Sequence, residues 1–462
     1  MSTLGSEQNP LMVAIVGAGP SGFYAAEALF KSGQAVRIDM FDRLPVPFGL
    51  VRHGVAPDHP KLKEAIAVYD RIARTPGFRF FGNVTVGREL PVAQLRAAYH
   101  AVVFASGAES DRRLGIPGED LAGSYTATEF VGWYNGHPDF RDHRFDLDRE
   151  VAVVIGQGNV AADVCRILAK TVDELKHTDI AEHALEALAA SRVREIHLIG
   201  RRGPAQAKFT AKELRELGEL EDAEVVVNPA ELDLNPESLA EFEDRKGATA
   251  KKNFEIMQGF ASRAPAGRRR RIYFRFFLSP VEIQGDGHVT GVAFERNRLA
   301  GGPFEQSARG TGERFELPGG IVFRSIGYKG MPIPEVPFDA RQGIFPTRDG
   351  RIVSDTGAVL PGLYASGWIK RGPTGIIGTN KPDSVATVAS LLADLAALDN
   401  GPRPGSEGLP ALKSGQGPRV VSYDDWLLID QAEVSRGALK GKPREKFTRV
   451  DEMLSQIGPR SG

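Results

Sequence analysis

LMVAIVGAGPSGFYAAEALFKSGQAVRIDMFD, residues 11–42, reads as strand, glycine turn, helix and second strand. Six apolar residues in a row suit a strand buried on both faces, as in a parallel sheet. In Gly17-Ala18-Gly19-Pro20-Ser21-Gly22 the first glycine permits a tight turn and the second lets backbone approach a pyrophosphate. The third lets helix and strand pack closely, and the helix N-terminus offers free N–H groups to phosphate. The second strand ends at Asp42, 25 residues after Gly17. A carboxylate there accepts the hydroxyls of an adenosine ribose and repels a 2′-phosphate.

The same grammar returns downstream. VAVVI (151–155) runs into Gly156-Gln157-Gly158-Asn159-Val160-Ala161, a fingerprint with alanine in the third place. Its second strand, EIHLIGRRG (195–203), ends not in an acid but in Arg201-Arg202. Two guanidinium forks suit the 2′-phosphate of NADP. The long interval between Gly156 and Arg201 contains TVDELKHTDIAEHALEALAA, an inserted helical piece. Two dinucleotide units of opposite charge preference therefore share one chain, and FAD with NADP fits them.

Between and beyond these units the pattern is coarser. Residues 43–62 are rich in proline and glycine and read as an ordered loop, followed by a helix at about 61–74 and a short strand pair at 78–86. Residues 210–275 read as charged and mostly helical, ending in GRRRRIYFRF, and 276–325 as strands with glycine turns. The helix VATVASLLADLAAL is expected to open near Asp383.

Composition narrows the chemistry. The 462 residues carry a net charge of −1 and a single cysteine, Cys165. No disulfide, CxxC pair or cysteine-held cluster can form, so an iron–sulfur centre must belong to a partner. Neutral overall charge argues against nucleic acid or an anionic membrane as partner, and no apolar run is long enough to span a bilayer. No metal-ligand set is read. The leader MSTLGSEQNP lacks targeting character, and a cytoplasmic monomer is expected.

Six further stretches are distinctive: PVPFGLVRHGVAPDHP (45–60), IPGEDLAGS (116–124), FVGWYNGHPDF (130–140), GQGNVAAD (156–163), GRRGPAQAKFTAKELREL (200–217) and GWIKRGPTGIIGTN (367–380). With them the chain resembles the adrenodoxin reductase family of NADPH–ferredoxin reductases, of the shorter-leader bacterial kind. The resemblance implies an α/β fold with two Rossmann-like dinucleotide-binding domains. FAD would take residues 1–110 and 328–462, and NADP the inserted 111–327. For FAD it implies Ser21, Asp42, Leu50, Val86, Trp368, Gly375, Ile376 and Ile377. For NADP it implies Arg112, Gln157 to Val160, Arg201, Arg202, Glu213, and Gly375 beside the nicotinamide. Asp42 stands where many relatives carry Glu, and His53 where they carry Phe or Tyr; the latter reads as a packing substitution.

Hydride transfer needs orientation more than acid–base help, so no catalytic acid is assigned firmly; His59 and Glu216 are the polar candidates, with a loop hydrogen bond and a helix-surface charge as their plainer readings. An acidic ferredoxin would meet a basic face, for which Arg245, Lys246, Lys251, Lys252 and Arg268, Arg269, Arg270 and Arg271 are candidates. Alternatives are an electron-input subunit resembling the small subunit of glutamate synthase, a flavin monooxygenase and a non-enzymatic nucleotide sensor.

Overall fold

Every residue of Leu11–Val16 is buried, and the strand serves two cores at once. Leu11, Val13 and Ile15 enter one apolar cluster with Phe23, Leu29, Val388 and Trp426. Met12, Ala14 and Val16 enter the other, with Leu95, Phe345 and Leu409. Alternation along a pleated strand sends successive side chains to opposite faces, so a continuous apolar run requires cover on both.

The computed structural model describes residues 3–413 and 417–458. It divides the chain into two units. The first comprises Met1–Asp111, Asn135–Pro138 and Gly327–Gly462. Its seven-stranded sheet runs in the order Thr347–Arg348, Arg351–Val353, Val359–Ala365, Ala101–Phe104, Leu11–Val16, Val36–Phe41, Phe78–Phe81. The last five strands are parallel, and the first two join antiparallel at the edge. Strand order reverses between Leu11–Val16 and Ala101–Phe104, so the crevice beyond their carboxyl ends is a topological switch point.

The second unit comprises Arg112–Tyr134 and Asp139–Ile326. Six parallel strands lie in the order Ser124–Thr126, Ile321–Arg324, Val151–Ile155, Glu195–Ile199, Arg270–Arg275, Ala223–Val227. Helices Asn159–Ala169 and Ala248–Ala261 cover one face. A three-stranded antiparallel sheet, Leu278–Asp286, His288–Ala300 and Ser307–Pro318, covers the other.

The structure departs from the sequence reading in several places. Residues 43–62 contain two helical turns, Leu50–His53 and Pro60–Lys63, and the expected helix at 61–74 is split into Pro60–Lys63 and Ala65–Ala73. Of the pair at 78–86 only Phe78–Phe81 is a strand. The stretch 210–275 holds strands Ala223–Val227 and Arg270–Arg275 as well as helices; the first carries a run of three β-branched valines, and the second alternates between buried and more open positions. Asn135–Pro138 clusters with the first unit, a return that no linear reading reveals. The inserted piece folds as Val172–Leu175 and Glu182–Ala189.

Candidate nucleotide-binding sites

In the first cradle the three glycines do three different jobs. Gly17 has φ +110°, and a Cβ on it would strike the Ala105 carbonyl. A Cβ on Gly22 would collide with the Gly17 carbonyl oxygen, so helix Pro20–Phe30 could not seat. Gly19 alone faces open space, which is the requirement for backbone meeting a ligand. Pro20 takes the first helical position, where its missing N–H costs nothing.

Asp42 fastens this turn as well as facing it. Its Oδ2 accepts the Ala18 N–H at 2.8 Å and its Oδ1 the Leu44 N–H at 2.9 Å. Burial pushes the carboxyl above its ordinary range, while the two backbone donors pull it back. Each oxygen keeps a lone pair for a ribose hydroxyl. The following loop folds over the turn: Phe48 N–H donates to the Ala18 carbonyl at 2.8 Å, and Gly49 lies against Gly19. Phe48 anchors that loop among Phe23, Tyr69 and Trp426. Leu50, at the start of the next helical turn, is exposed, whereas Val86 sits in the core beside Met12 and Phe41.

Ser21, expected beside FAD, has its side chain turned to the protein's own hydroxyls. Its hydroxyl lies 2.8 Å from Ser366 Oγ and 3.1 Å from Ser384 Oγ, buried where the two helices approach the sheet. The side chain ties Pro20–Phe30 to Asn380–Ala393, and only its backbone remains for a phosphate.

The C-terminal part of the cradle begins at Gly367. Trp368 stacks on Tyr328 with centroids 5.6 Å apart and donates its indole N–H to the Thr374 carbonyl at 3.2 Å. Gly375 and Ile376 are exposed and Ile377 partly so, with Ile376 leaving 62% of its surface open. Gly375 has φ +85°, and a Cβ would collide with Thr379, so its glycine is demanded by the turn itself rather than only by a passing ring. Helix Asn380–Ala393 opens three residues earlier than expected, after the single turn Ile377–Thr379.

The second cradle repeats the scheme. Gly156 has φ +136° with Ser325 against it, Gly158 faces open space, and Ala161 is fully buried in the third place. Gln157 and Asn159, expected to hold NADP, use their side chains elsewhere. Gln157 Nε2 donates to the Arg275 carbonyl at 3.2 Å, and Asn159 Oδ1 accepts the Thr210 N–H at 2.8 Å. Their backbones, with that of the partly buried Val160, remain at the helix start.

Beyond the neighbouring strand, Arg201 is exposed and Arg202 partly buried. Burial and the adjacent Arg201 lower the Arg202 pKa, and Glu241 opposes them. The backbone beneath is held: Asn297 Nδ2 donates to the Arg201 carbonyl at 2.9 Å, and Phe277 N–H to the Arg202 carbonyl at 3.1 Å. Asn297 was invisible to sequence reasoning, since nothing local marks it.

Glu213, expected at the NADP site, is set against Arg166. It is buried, with Arg166 Nη1 donating to its Oε2 at 3.1 Å, and Arg166 also grips Asp163 at 2.6 Å. Burial and the nearby Asp163 push the Glu213 carboxyl up to about 7 against the pull of Arg166. Glu216 is partly buried, 3.5 Å from Lys212 one turn away on the same helix. His59 is buried at the start of Pro60–Lys63, and Arg112 opens the second unit. His53 is buried edge-to-face against His137, centroids 4.9 Å apart, and burial with nearby positive groups holds its pKa well below the usual value.

In the arginine run Arg268, Arg269 and Arg271 are exposed and Arg270 is buried. Arg268 donates to the Leu220 and Ala223 carbonyls, Arg269 pairs with Asp222 at 2.8 Å, and Arg271 with Glu224 at 3.4 Å. Arg270 is buried, donating to the Val193 carbonyl at 3.1 Å. These side chains fasten the sheet edge. Arg245, Lys246, Lys251 and Lys252 are exposed around the start of helix Ala248–Ala261.

Both cradles fit dinucleotides: each has one open glycine at a helix start, one with a carboxylate and one with two guanidiniums at the adjoining strand end. Comparison with known proteins agrees. Residues 11–202 match the pyridine nucleotide-disulphide oxidoreductase family. The chain is 45% identical over 458 residues to NADPH-ferredoxin reductase FprA of Mycobacterium tuberculosis (strain ATCC 25618 / H37Rv), covering 96% of this chain and 98% of that one. It is 45% identical over 469 residues to the mitochondrial NADPH:adrenodoxin oxidoreductase of Bos taurus, covering 98% and 93%. The structure of Mycobacterium tuberculosis FprA in complex with NADPH matches with a TM-score of 0.91 at 44% identity, covering 97% of this chain and all of that one. The disulphide of the family description has no counterpart here, because Cys165 is the single cysteine and is buried. The chain belongs to the family of NADPH–ferredoxin and NADPH:adrenodoxin reductases.

Proposed function

We propose that this protein is an NADPH–ferredoxin reductase that carries FAD in its first unit and binds NADPH in its second. The observation that carries the reading is the pair of cradles with opposite charge at their strand ends, Asp42 in one and Arg201 with Arg202 in the other. Bound FAD supplies a redox centre that accepts a hydride and returns its two electrons singly to an iron–sulfur protein. The chain's own residues bind and orient. N–H groups at the starts of Pro20–Phe30 and Asn159–Ala169 face phosphate, and the Asp42 lone pairs take ribose hydroxyls. Gly375 to Ile377 and Trp368 flank the flavin end, while Val86 and Leu50 bound the first cradle.

An acidic ferredoxin would dock on Arg245, Lys246, Lys251 and Lys252, with the exposed Arg268, Arg269 and Arg271 of the same basic set already engaged with the protein's own acids and carbonyls. The reading takes the protein as a cytoplasmic monomer; no helix among the described residues is long and apolar enough to cross a membrane. Stopped-flow reduction with NADPH and NADH tests the core claim. Rapid bleaching of the flavin by NADPH alone at low concentration supports it, and equal rates with both nucleotides remove the Arg201–Arg202 assignment. Cytochrome c reduction that requires added ferredoxin separates this activity from a monooxygenase, whose NADPH use would follow an organic substrate. Native mass separates it from a subunit of a larger assembly.

A further inference from the structure

The hairpin formed by His288–Ala300 and Ser307–Pro318 reaches back to the Arg201–Arg202 corner, and its tip is fastened by a buried polar cluster. Gln306 Nε2 donates to Glu241 Oε1 at 2.9 Å and to Ser238 Oγ at 2.9 Å. Phe304 N–H donates to the same Glu241 oxygen at 2.9 Å, and Gln206 Nε2 reaches the other at 3.4 Å. Asn235 Nδ2 donates to Gln306 Oε1 at 2.6 Å, which fixes the amide with its donors toward Glu241. Gln306, Ser238 and Glu241 are all at least 96% buried.

This arrangement matters because Glu241 is the acid that acts electrostatically on Arg202. A carboxylate so placed would ordinarily pair with the guanidinium and neutralise it. Here one oxygen is engaged by two neutral donors at 2.9 Å, and the other by the longer Gln206 contact. Among the described residues, the hydrogen bond of the Arg202 side chain goes instead to the Gln306 carbonyl, at 3.5 Å. That contact is long and therefore weak, so the guanidinium keeps its donors for an incoming anion.

We propose that Gln306 is a positioning residue for coenzyme selection: by occupying the Glu241 carboxylate it keeps that acid off Arg202 and preserves the site for a 2′-phosphate. The proposal rests on the reading of the second unit as the NADP site. It makes the hairpin tip part of the discrimination between phosphorylated and unphosphorylated adenosine, although Gln306 has no need to touch the nucleotide.

The test uses the FAD-loaded, full-length protein and titrates 2′,5′-ADP and 5′-ADP by calorimetry. Gln306→Met keeps side-chain length and removes the donors, freeing Glu241 to pair with Arg202. It is expected to weaken 2′,5′-ADP about tenfold with 5′-ADP unchanged, since an ion pair must now be broken on binding. In steady state, the KM for NADPH rises and kcat holds. Adding Glu241→Gln to Gln306→Met restores affinity, and Glu241→Gln alone tightens 2′,5′-ADP about threefold by removing an opposing charge. Equal weakening of both ligands by Gln306→Met, or no rescue by Glu241→Gln, overturns the proposal. If Gln306→Met does not fold, Glu241→Gln alone decides: no tightening of 2′,5′-ADP overturns it. A wild-type protein without preference for 2′,5′-ADP removes the NADP reading and this inference together. A wild-type preference that Gln306→Met leaves intact removes only the inference.

Discussion

On the proposed reading Arg202 would carry much of the coenzyme preference, since it is the half-buried fork of its pair and its side chain meets the Gln306 carbonyl only at 3.5 Å. Arg202→Ala removes charge-assisted hydrogen bonds of about 1.5–3 kcal/mol in total, so NADPH affinity falls roughly ten- to a hundredfold. NADH, which lacks the phosphate, is expected to bind the variant as it binds the wild type; parallel titrations check both. Glu213 bears on stability. Its carboxyl is pushed up to about 7 from an ordinary 4.5, so below pH 4.5 it is protonated folded or unfolded and costs nothing. As pH rises toward 7 the unfolded chain releases the proton while the folded one retains it, and stability falls by about 2–3 kcal/mol, then levels. Glu213→Gln abolishes that slope. Chemical denaturation at pH 5 and pH 7 reads it, and parallel pH dependence in wild type and variant would refute the assignment.

At the scale of the element, the two glycine turns make a paired prediction. Gly19→Ala adds a methyl to open space, leaving the apoprotein's melting temperature nearly unchanged while flavin binding weakens. Gly22→Ala drives a methyl into the Gly17 carbonyl, and such overpacking costs about 1–3 kcal/mol before any cofactor is considered. Differential scanning calorimetry with and without FAD separates the two. The strand Arg270–Arg275 supplies a second pair. Arg270→Ala orphans buried carbonyls and is expected to cost about 1–3 kcal/mol, whereas Arg269→Ala loses a surface pair worth under about 1 kcal/mol. Urea melts of both variants test this. Turn, helix and strand in residues 11–42 were legible because each constraint lies within a few residues of its signal. The edge of the second sheet was not, since four adjacent arginines look alike until packing buries one and pairs the others.

Across the whole molecule, the first unit is assembled from both ends of the chain. Strand Val359–Ala365 lies beside Ala101–Phe104, and Ser366 and Ser384 meet Ser21. Removing residues 328–462 is therefore expected to abolish flavin retention, seen as loss of the yellow absorbance on purification, even though Gly17 to Gly22 remain. Retention of FAD by the truncated chain would refute this account of the cradle. What the sequence determined by itself was the presence of two dinucleotide turns and the sign of the charge beside each, because spacing along a strand–turn–helix is a local property. What only the tertiary structure decided was which polar side chains are free to meet a ligand. Ser21, Gln157, Asn159, Glu213 and Arg270 are occupied by partners distant in sequence, and Gln306 reaches Arg202 across about a hundred residues. Hydrogen-bond saturation in a buried site is settled by neighbours in space, and no pattern along the chain encodes it.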